Sequence, residues 1–295
     1  MSCIILSMSD TSSRPDVEIL ALEPKPSAEW EPFEAKLIIF ESFGVRMWLG
    51  TNRREAAERM HEVMPPGWRG NQTDGVEGNR FGLIGDKHGT YRVDLSNIPL
   101  AEKVPLDLAL EVLDSAIRQR VAFEAPDHIF VHAGVVAHEG RALLIPGKSF
   151  SGKTRLVASL VRAGATYYSD EFAPIDRDGL VHPYAKPLSI RGDNQLQTNH
   201  HVASLGGISG QEPLPVAAVV HTTYRAGAVW EPTGLSPAQG ALALFGHAVA
   251  ARDRPEEVLS ALTTAVDGAT ILDGDRGEAD ELAPLLLAEL GAQQT

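Results

Sequence analysis

Short apolar runs alternate with helical patterns along the chain and predict a small α+β region followed by a longer α/β region. In the first region the pattern predicts a strand pair, a helix and a second strand pair, at residues 37–40, 45–49, 52–64, 81–84 and 90–93. Residues 1–30 lack this periodicity and are rich in Ser, Pro, Asp and Glu, which predicts a loose leader. We therefore predict a leader at 1–30, a small α+β domain at 31–105 and a second domain at 106–295.

The second region has the alternation of strands and helices that is typical of α/β proteins. It begins with an amphipathic helix predicted at residues 107–123, followed by apolar runs at 128–131 and 135–137. Further strands and helices are predicted at residues 216–220, 236–250, 255–266, 269–272 and 278–290.

A glycine-rich motif with the pattern Gly-x-x-x-x-Gly-Lys-Thr lies between a predicted buried strand at 141–146 and a predicted helix that begins at Lys153. Its backbone N–H groups and the start of the helix suit a phosphate group. Lys153 adds a charge for the β- and γ-phosphates, and Thr154 adds a hydroxyl ligand for Mg²⁺. A plain glycine turn does not explain this Lys-Thr pair. The motif consists of Gly147, Lys148, Ser149, Phe150, Ser151, Gly152, Lys153 and Thr154.

Two adjacent carboxylates, Asp170 and Glu171, end a second predicted strand at residues 165–171. Strands of α/β sheets present their carboxyl ends to the ligand. Neighbouring side chains of an extended strand point to opposite sides, so one carboxylate is expected to face metal and phosphates and the other the solvent or a backbone amine. The alternative is a solvated turn, and the motif upstream favours a catalytic or metal role for at least one of the two. His132, before Ala133-Gly134, is either structural or catalytic.

In order and spacing, these motifs resemble the catalytic domain of bacterial HPr kinase/phosphorylase. His132 precedes Gly147 by 15 residues, and Asp170 follows Gly147 by 23 residues. The resemblance covers residues 125–195. It implies a P-loop kinase fold of the type shared with phosphoenolpyruvate carboxykinase, with Mg·ATP (ATP and Mg²⁺) as phosphoryl donor and a serine hydroxyl as acceptor. The segments that carry it are His132-Ala133-Gly134-Val135-Val136, the glycine-rich motif, Ala163-Gly164 and Ser169-Asp170-Glu171.

The resemblance also implies roles for individual residues. Asp170 matches the carboxylate that acts as general base towards the attacking hydroxyl, and Glu171 matches a second Asp near the metal. His132 matches the family's active-site histidine, and Lys153 the catalytic lysine of the phosphate loop. Arg191 lies in a segment that weakly resembles a later signature of the family, and it is expected to contact phosphate. A structural role for this arginine is the equal alternative.

Departures from the family pattern argue against HPr as the acceptor and against the reverse phosphorolysis. Glu171 replaces an Asp, and Ser189 stands where the family's metal-binding Glu is expected. The sequence is more similar to a divergent HPr-kinase-like group, some of whose members phosphorylate peptides such as lasso peptide precursors. The expected acceptor is a hydroxyl on a peptide, a protein or a small molecule. Relatives are often oligomers, so self-association is expected by resemblance alone.

Two other functions remain open at this point. One is a nucleotide-dependent regulator that transfers no phosphoryl group, which the missing metal-binding Glu favours. The other is a carboxykinase-like enzyme acting on a small acid, which needs further metal ligands and basic residues that the sequence does not present in a matching pattern.

The composition and charge of the chain limit the classes of partner that we expect it to bind. The formal net charge of −13 repels nucleic acid and acidic membrane surfaces, so we expect neither as a partner. No apolar run approaches the roughly 20 residues that a membrane helix needs. A single cysteine, Cys3, cannot form an internal disulfide, and the cytoplasm is the expected compartment.

Overall fold

The computed structural model describes residues 36–70, 78–147, 151–191 and 197–292 as a mixed α/β structure with two larger sheets and one two-stranded sheet. The predicted leader lies outside these residues, as do Lys148, Ser149 and Phe150 of the motif. Arg191 is described only as a backbone position. Within the described ranges, no helix combines the length and apolar character needed to cross a membrane.

The first sheet contains both predicted strand pairs. Its strands are β1 (Lys36–Ser42), β2 (Val45–Thr51), β3 (Arg69–Gly70), β4 (Asn79–Gly85), β5 (Tyr91–Leu95) and β6 (Ile98–Val104). Their order is β3-β1-β2-β4-β5-β6, with β2 and β4 parallel and the other pairs antiparallel. The β1–β2 turn places Phe43 and Gly44 at positive φ, which the glycine adopts without strain. The helix predicted at 52–64 is shorter, with α1 (Arg54–Arg59) followed by a 3-10 turn, Met60–Val63.

Helix α2 (Leu106–Glu124) confirms the amphipathic helix predicted at 107–123. Its apolar residues Leu113, Ile117 and Val121 are buried in one core with the inner residues of the first sheet. The helix therefore packs against the first sheet, and its Arg118 side chain reaches Glu171 beside the second sheet.

The second sheet carries the glycine-rich motif. Its strands are β7 (Ile129–His138), β8 (Arg141–Pro146), β9 (Thr166–Ser169), β10 (Phe172–Ile175), β11 (Leu180–Val181), β14 (Leu214–Tyr224), β15 (Thr233–Leu235) and β16 (Thr270–Arg276). The order is β11-β10-β7-β8-β14-β16-β15, with β9 also paired to β7. Strands β8, β14 and β16 are parallel, so their carboxyl ends meet at one edge. Strands β12 (Leu188–Arg191) and β13 (Gln197–His200) form the two-stranded sheet.

Helices cover the second sheet in two groups. Helices α3 (Lys153–Arg162) and α6 (Ala279–Ala292) share one core cluster, and α4 (Pro237–Phe245) and α5 (Pro255–Ala265) share another. Successive residues of a strand point to opposite faces of the sheet and pack against different helices. Val135 of β7 is in the core cluster of α4 and α5, and Val136 is in that of α3 and α6. The helix predicted at 236–250 is shorter, because it ends at Phe245 before Gly246.

Helix α3 lies close against β7, and Gly134 makes this approach feasible. A Cβ on Gly134 would lie 2.6 Å from the Val157 Cγ2 atom of α3. The apolar face of α3, which includes Leu156, Val157 and Leu160, is buried. This contact fixes the start of α3 relative to the strand that carries His132.

Candidate active site

The described part of the glycine-rich motif forms a turn between a buried strand and an amphipathic helix. Strand β8 ends at Pro146, and the Gly147 N–H donates to the His132 carbonyl over 3.2 Å. Gly152 precedes α3 with a φ of 85°, a left-handed conformation that favours glycine. The first N–H groups of α3 have no partners within the helix, and a helix start carries partial positive charge. This geometry suits an anion.

Lys153 is folded back onto the motif. Its Nζ atom donates to the Gly147 carbonyl over 2.5 Å. Burial lowers the pKa of Lys153 from 10.5 to about 8, although the negative charges of Asp170 and Glu171 oppose this shift. A poorly hydrated cation beside the motif is stabilised by any anion that binds there.

Thr154 and Asp170 join the motif to the predicted acidic pair. The Thr154 hydroxyl donates to Asp170 Oδ2 over 3.0 Å, and the Tyr167 hydroxyl donates to Asp170 Oδ1 over 2.9 Å. Burial raises the pKa of Tyr167, so this phenol remains a donor. Asp170 is buried, and two donors fix the orientation of its carboxylate.

The second carboxylate has different partners from the first. Both residues lie in a bend after β9 and not in the predicted strand, and the partners of Glu171 are two cationic side chains instead of the expected solvent or backbone amine. Glu171 forms ion pairs with Arg118 and with Lys186, whose Nζ atom lies 3.2 Å away. Burial alone raises the pKa of this carboxyl, but the positive charges of Arg118 and Lys186 outweigh burial, and the pKa of Glu171 is lowered. Glu171 is therefore an anion that is already neutralised by two cations. Its predicted metal role stays a prediction.

His132 lies on β7 opposite Phe172 of β10. Its ring centroid is 4.5 Å from that of Phe172, with a 35° angle between the rings. Burial lowers the pKa of His132, and the charge of Lys153 acts in the same direction, whereas that of Glu171 opposes it. The imidazole is therefore neutral near pH 7, within electrostatic range of both Lys153 and Glu171.

Oxygen atoms of Thr154 and Asp170 converge in a way that fits Mg²⁺, which prefers oxygen ligands and keeps several waters. Among the described residues, no group of three or more His, Cys, Asp or Glu side chains is arranged to hold a metal ion. A magnesium ion held by these two residues would need phosphate oxygens and water for most of its ligands. Ser189, at the position of the expected Glu, donates instead to Asn199 Oδ1 over 2.9 Å.

Several polar residues near the site were not predicted from the sequence. Arg118 and Lys186 hold Glu171, and His221 Nδ1 lies 2.6 Å from Asp273 Oδ1. The Arg276 Nη2 atom donates to the Gly152 carbonyl over 3.2 Å. The signal that could have found Arg276 is strand order, because residues at the carboxyl ends of parallel strands share one edge of the sheet.

The structure describes the glycine-rich motif and Arg191 only in part. Lys148, Ser149 and Phe150 lie outside the described residues, and the Arg191 side chain does too. The structure brings together the other predicted residues: Gly147, Gly152, Lys153, Thr154, Asp170, Glu171 and His132 are linked by the contacts above. Ser151 also lies in this site, next to Gly147: a Cβ on Gly147 would lie 2.8 Å from the Ser151 Oγ atom.

Comparisons with known proteins match the chain to solved structures. No family model matches the chain, and no curated protein matches it. Among solved structures, the HPr(Ser) kinase/phosphatase from Coxiella burnetii matches 56% of this chain and 95% of its own, with 13% identity and a TM-score of 0.33. A TM-score this low does not support a functional conclusion, which therefore rests on the contacts within the site.

Proposed function

We propose that the chain is an ATP-dependent phosphotransferase that transfers the γ-phosphoryl group to a serine-type hydroxyl. Under this proposal residues 106–295 form a P-loop kinase domain and residues 31–105 a small accompanying domain. The single observation that carries the proposal is the Thr154–Asp170 hydrogen bond of 3.0 Å at the start of α3. It joins the proposed phosphate loop to the carboxylate that is proposed as the general base of phosphoryl transfer.

The nucleotide is bound by the loop in this proposal. Backbone N–H groups of residues 147–154 and the start of α3 receive the phosphates, and Lys153 pairs with the β- and γ-phosphates. Arg191 is proposed as a further phosphate contact. Thr154 is the proposed magnesium ligand, with Asp170 beside it, and Glu171 is proposed as a second residue near the metal. When bound, Mg²⁺ neutralises charge on the phosphate oxygens.

In the transfer step, the acceptor hydroxyl oxygen forms a bond to the γ-phosphorus while the bond to the β–γ bridging oxygen breaks and ADP leaves. Asp170 takes the hydroxyl proton. Its fixed orientation matters more than its basicity, since phosphoryl transfer depends mainly on alignment and charge neutralisation. His132 is neutral and has one donor and one acceptor nitrogen, which suits it to orient the hydroxyl.

The acceptor is proposed as a peptide, a protein or a small molecule with a free hydroxyl. The net charge of −13 supports a partner that is neither nucleic acid nor an acidic membrane surface. A cytoplasmic location and self-association remain part of the proposal.

Transfer is tested by incubating the full chain with Mg·ATP and a pool of peptides and lysate proteins, followed by phosphosite mass spectrometry. We expect phosphorylated acceptors with the wild type and none with Lys153→Ala or Asp170→Asn. Phosphorylation that is equal in all three samples would come from a contaminating kinase and would contradict the proposal.

A nucleotide-dependent regulator is the second candidate. Two contacts favour it: Glu171 is already paired with Arg118 and Lys186, and Ser189 occupies the position of the expected metal-binding Glu. This candidate predicts tight ATP binding without any phosphoproduct. ATP hydrolysis or transfer that depends on Lys153 would exclude it.

A further inference from the structure

A second cationic side chain contacts the phosphate loop from a distant strand. Arg276 is the last residue of β16 and lies opposite Tyr224 of β14 in the parallel ladder. Its Nη2 atom donates to the Gly152 carbonyl over 3.2 Å, and its Nη1 atom donates to the Gly277 carbonyl over 3.1 Å. A Cβ on Gly152 would lie 2.5 Å from Nη2. The guanidinium therefore packs directly against the residue that begins α3.

This guanidinium is a buried charge without a paired carboxylate. Arg276 is 3% exposed, and no carboxylate among the described residues forms an ion pair with it. Its Nε atom is also buried, and it has no hydrogen-bond partner among the residues that the structure describes. Burial lowers the pKa of Arg276, against the attraction of Glu278. A buried cation whose hydrogen-bond acceptors are backbone carbonyls is stabilised further by an anion that binds beside it.

Neighbouring side chains fix the orientation of the guanidinium. Its Cζ atom lies 5.3 Å from the centroid of the Tyr224 ring, within the range of a cation–π contact. The Tyr224 hydroxyl donates to Glu278 over 2.8 Å, which holds the ring and engages the nearby carboxylate. The charge is thus oriented before any ligand binds, and a preorganised charge needs little rearrangement to stabilise an anion.

We propose that Arg276 is a positioning residue of the nucleotide site, which holds the Gly152 carbonyl and supplies a second positive charge for the phosphates bound by the loop. This inference rests on the proposed function, because the expected anion is the nucleotide itself. Arg276 acts through Gly152 and through its charge. Its contribution to binding affinity therefore grows with the number of phosphates, and it increases the affinity for ATP more than the affinity for ADP.

The test is calorimetric titration of the full chain with Mg·ATP and with Mg·ADP. The wild type is compared with Arg276→Gln and with Arg225→Gln. Arg225 is a matched control, because it is nearby, 73% exposed, and paired with Asp275 over 3.1 Å. Loss of a hydrogen bond to a charged group predicts about tenfold to hundredfold weaker ATP binding by Arg276→Gln. ADP binding weakens less, and Arg225→Gln binds ATP within about twofold of the wild type.

Each other outcome has a defined meaning. Unchanged ATP affinity in Arg276→Gln overturns the inference, and so do equal losses for ATP and ADP, which would indicate a purely structural contact. Failure of the wild type to bind ATP overturns the proposed function as well. If Arg276→Gln does not fold, Arg276→Met replaces the buried cation with an apolar side chain and is judged by the same two criteria.

Discussion

The Thr154 hydroxyl donates a hydrogen bond to the Asp170 carboxylate over 3.0 Å, across 16 positions of sequence. This contact links the first turn of α3 to the residue that follows β9. A second donor, the Tyr167 hydroxyl, holds the other carboxylate oxygen at 2.9 Å. The carboxylate is therefore fixed before an acceptor or a metal arrives.

Replacing Asp170 by Asn removes the proposed base while keeping an oxygen that can accept the Thr154 hydroxyl. We expect the rate of phosphoryl transfer to fall about 10²- to 10⁴-fold, while ATP still binds. Transfer rate and ATP affinity are measured on the same preparation. The control is Asp178→Asn, in an exposed turn, which should leave both unchanged. Normal transfer by Asp170→Asn would remove the base role of Asp170.

The lowered pKa of Lys153 predicts that ATP binding depends on pH. Because its pKa is lowered to about 8, the unliganded protein loses this positive charge as the pH rises through that value, and ATP binding weakens. The unfolded chain keeps its proton up to about pH 10.4. Between these values the folded state binds fewer protons, so the contribution of Lys153 to stability rises with pH.

The measurement is the ATP affinity from pH 7 to 9.5 for the wild type and for Lys153→Arg, whose guanidinium keeps its proton throughout. We expect the decline near pH 8 in the wild type and its loss in the variant. An identical decline in both proteins would assign the dependence to another group.

Glu171 is predicted to contribute strongly to stability. Glu171→Gln leaves Lys186 without its anion and leaves Arg118 paired with Asp114 alone, and breaking a largely buried pair costs about 3 kcal/mol. Because the pKa of Glu171 is lowered, its stabilisation is present above the unfolded pKa near 4.5 and is lost as the pH falls through the folded value.

Urea unfolding measures this effect, with Asp127→Asn as the control. Asp127 pairs with Arg177 on the surface, where the side chains are 65% and 80% exposed, so its loss should change stability by less than about 1 kcal/mol. Unchanged stability of Glu171→Gln, together with loss of the magnesium requirement for ATP binding, would instead make Glu171 a metal ligand.

Gly134→Ala tests the packing that sets the start of α3. The new methyl group would lie 2.6 Å from Val157 Cγ2, so helix and strand must separate. We expect a loss of about 1–3 kcal/mol in unfolding free energy, with weaker ATP binding because Lys153 and Thr154 begin this helix. Gly234→Ala, where a Cβ meets no atom within 4 Å, is the control. Equal stability of the two variants would show that α3 is not held by this contact.

Local patterns were sufficient to predict the strand–loop–helix unit. Strand β8 and helix α3 begin where the sequence predicts, because an apolar run, two glycines and an amphipathic face lie within 22 residues, 141–162. Helix α2 and strand β14 were predicted for the same reason. The adjacency of Asp170 and Glu171 predicted that the two carboxylates face different sides, but the expected strand ends at Ser169, and the cationic partners of Glu171 were not predicted.

Long-range contacts were not predictable from those patterns. Arg118 and Glu171 are 53 positions apart, and Arg276 and Gly152 are 124 positions apart. Arginines of this kind appear in the sequence as ordinary surface or helical residues. Their roles depend on strand order and on the packing of α2 between the two sheets, which a single sequence does not specify.

The most direct test of the account is a calorimetric titration of the full chain with Mg·ATP, with Lys153→Ala as the matched variant. The account predicts saturable binding of one nucleotide per chain and at least about tenfold weaker binding by Lys153→Ala, since a charge-assisted contact is lost. Absence of binding by the folded wild type, or equal affinity in both proteins, would contradict a phosphate site at residues 147–154.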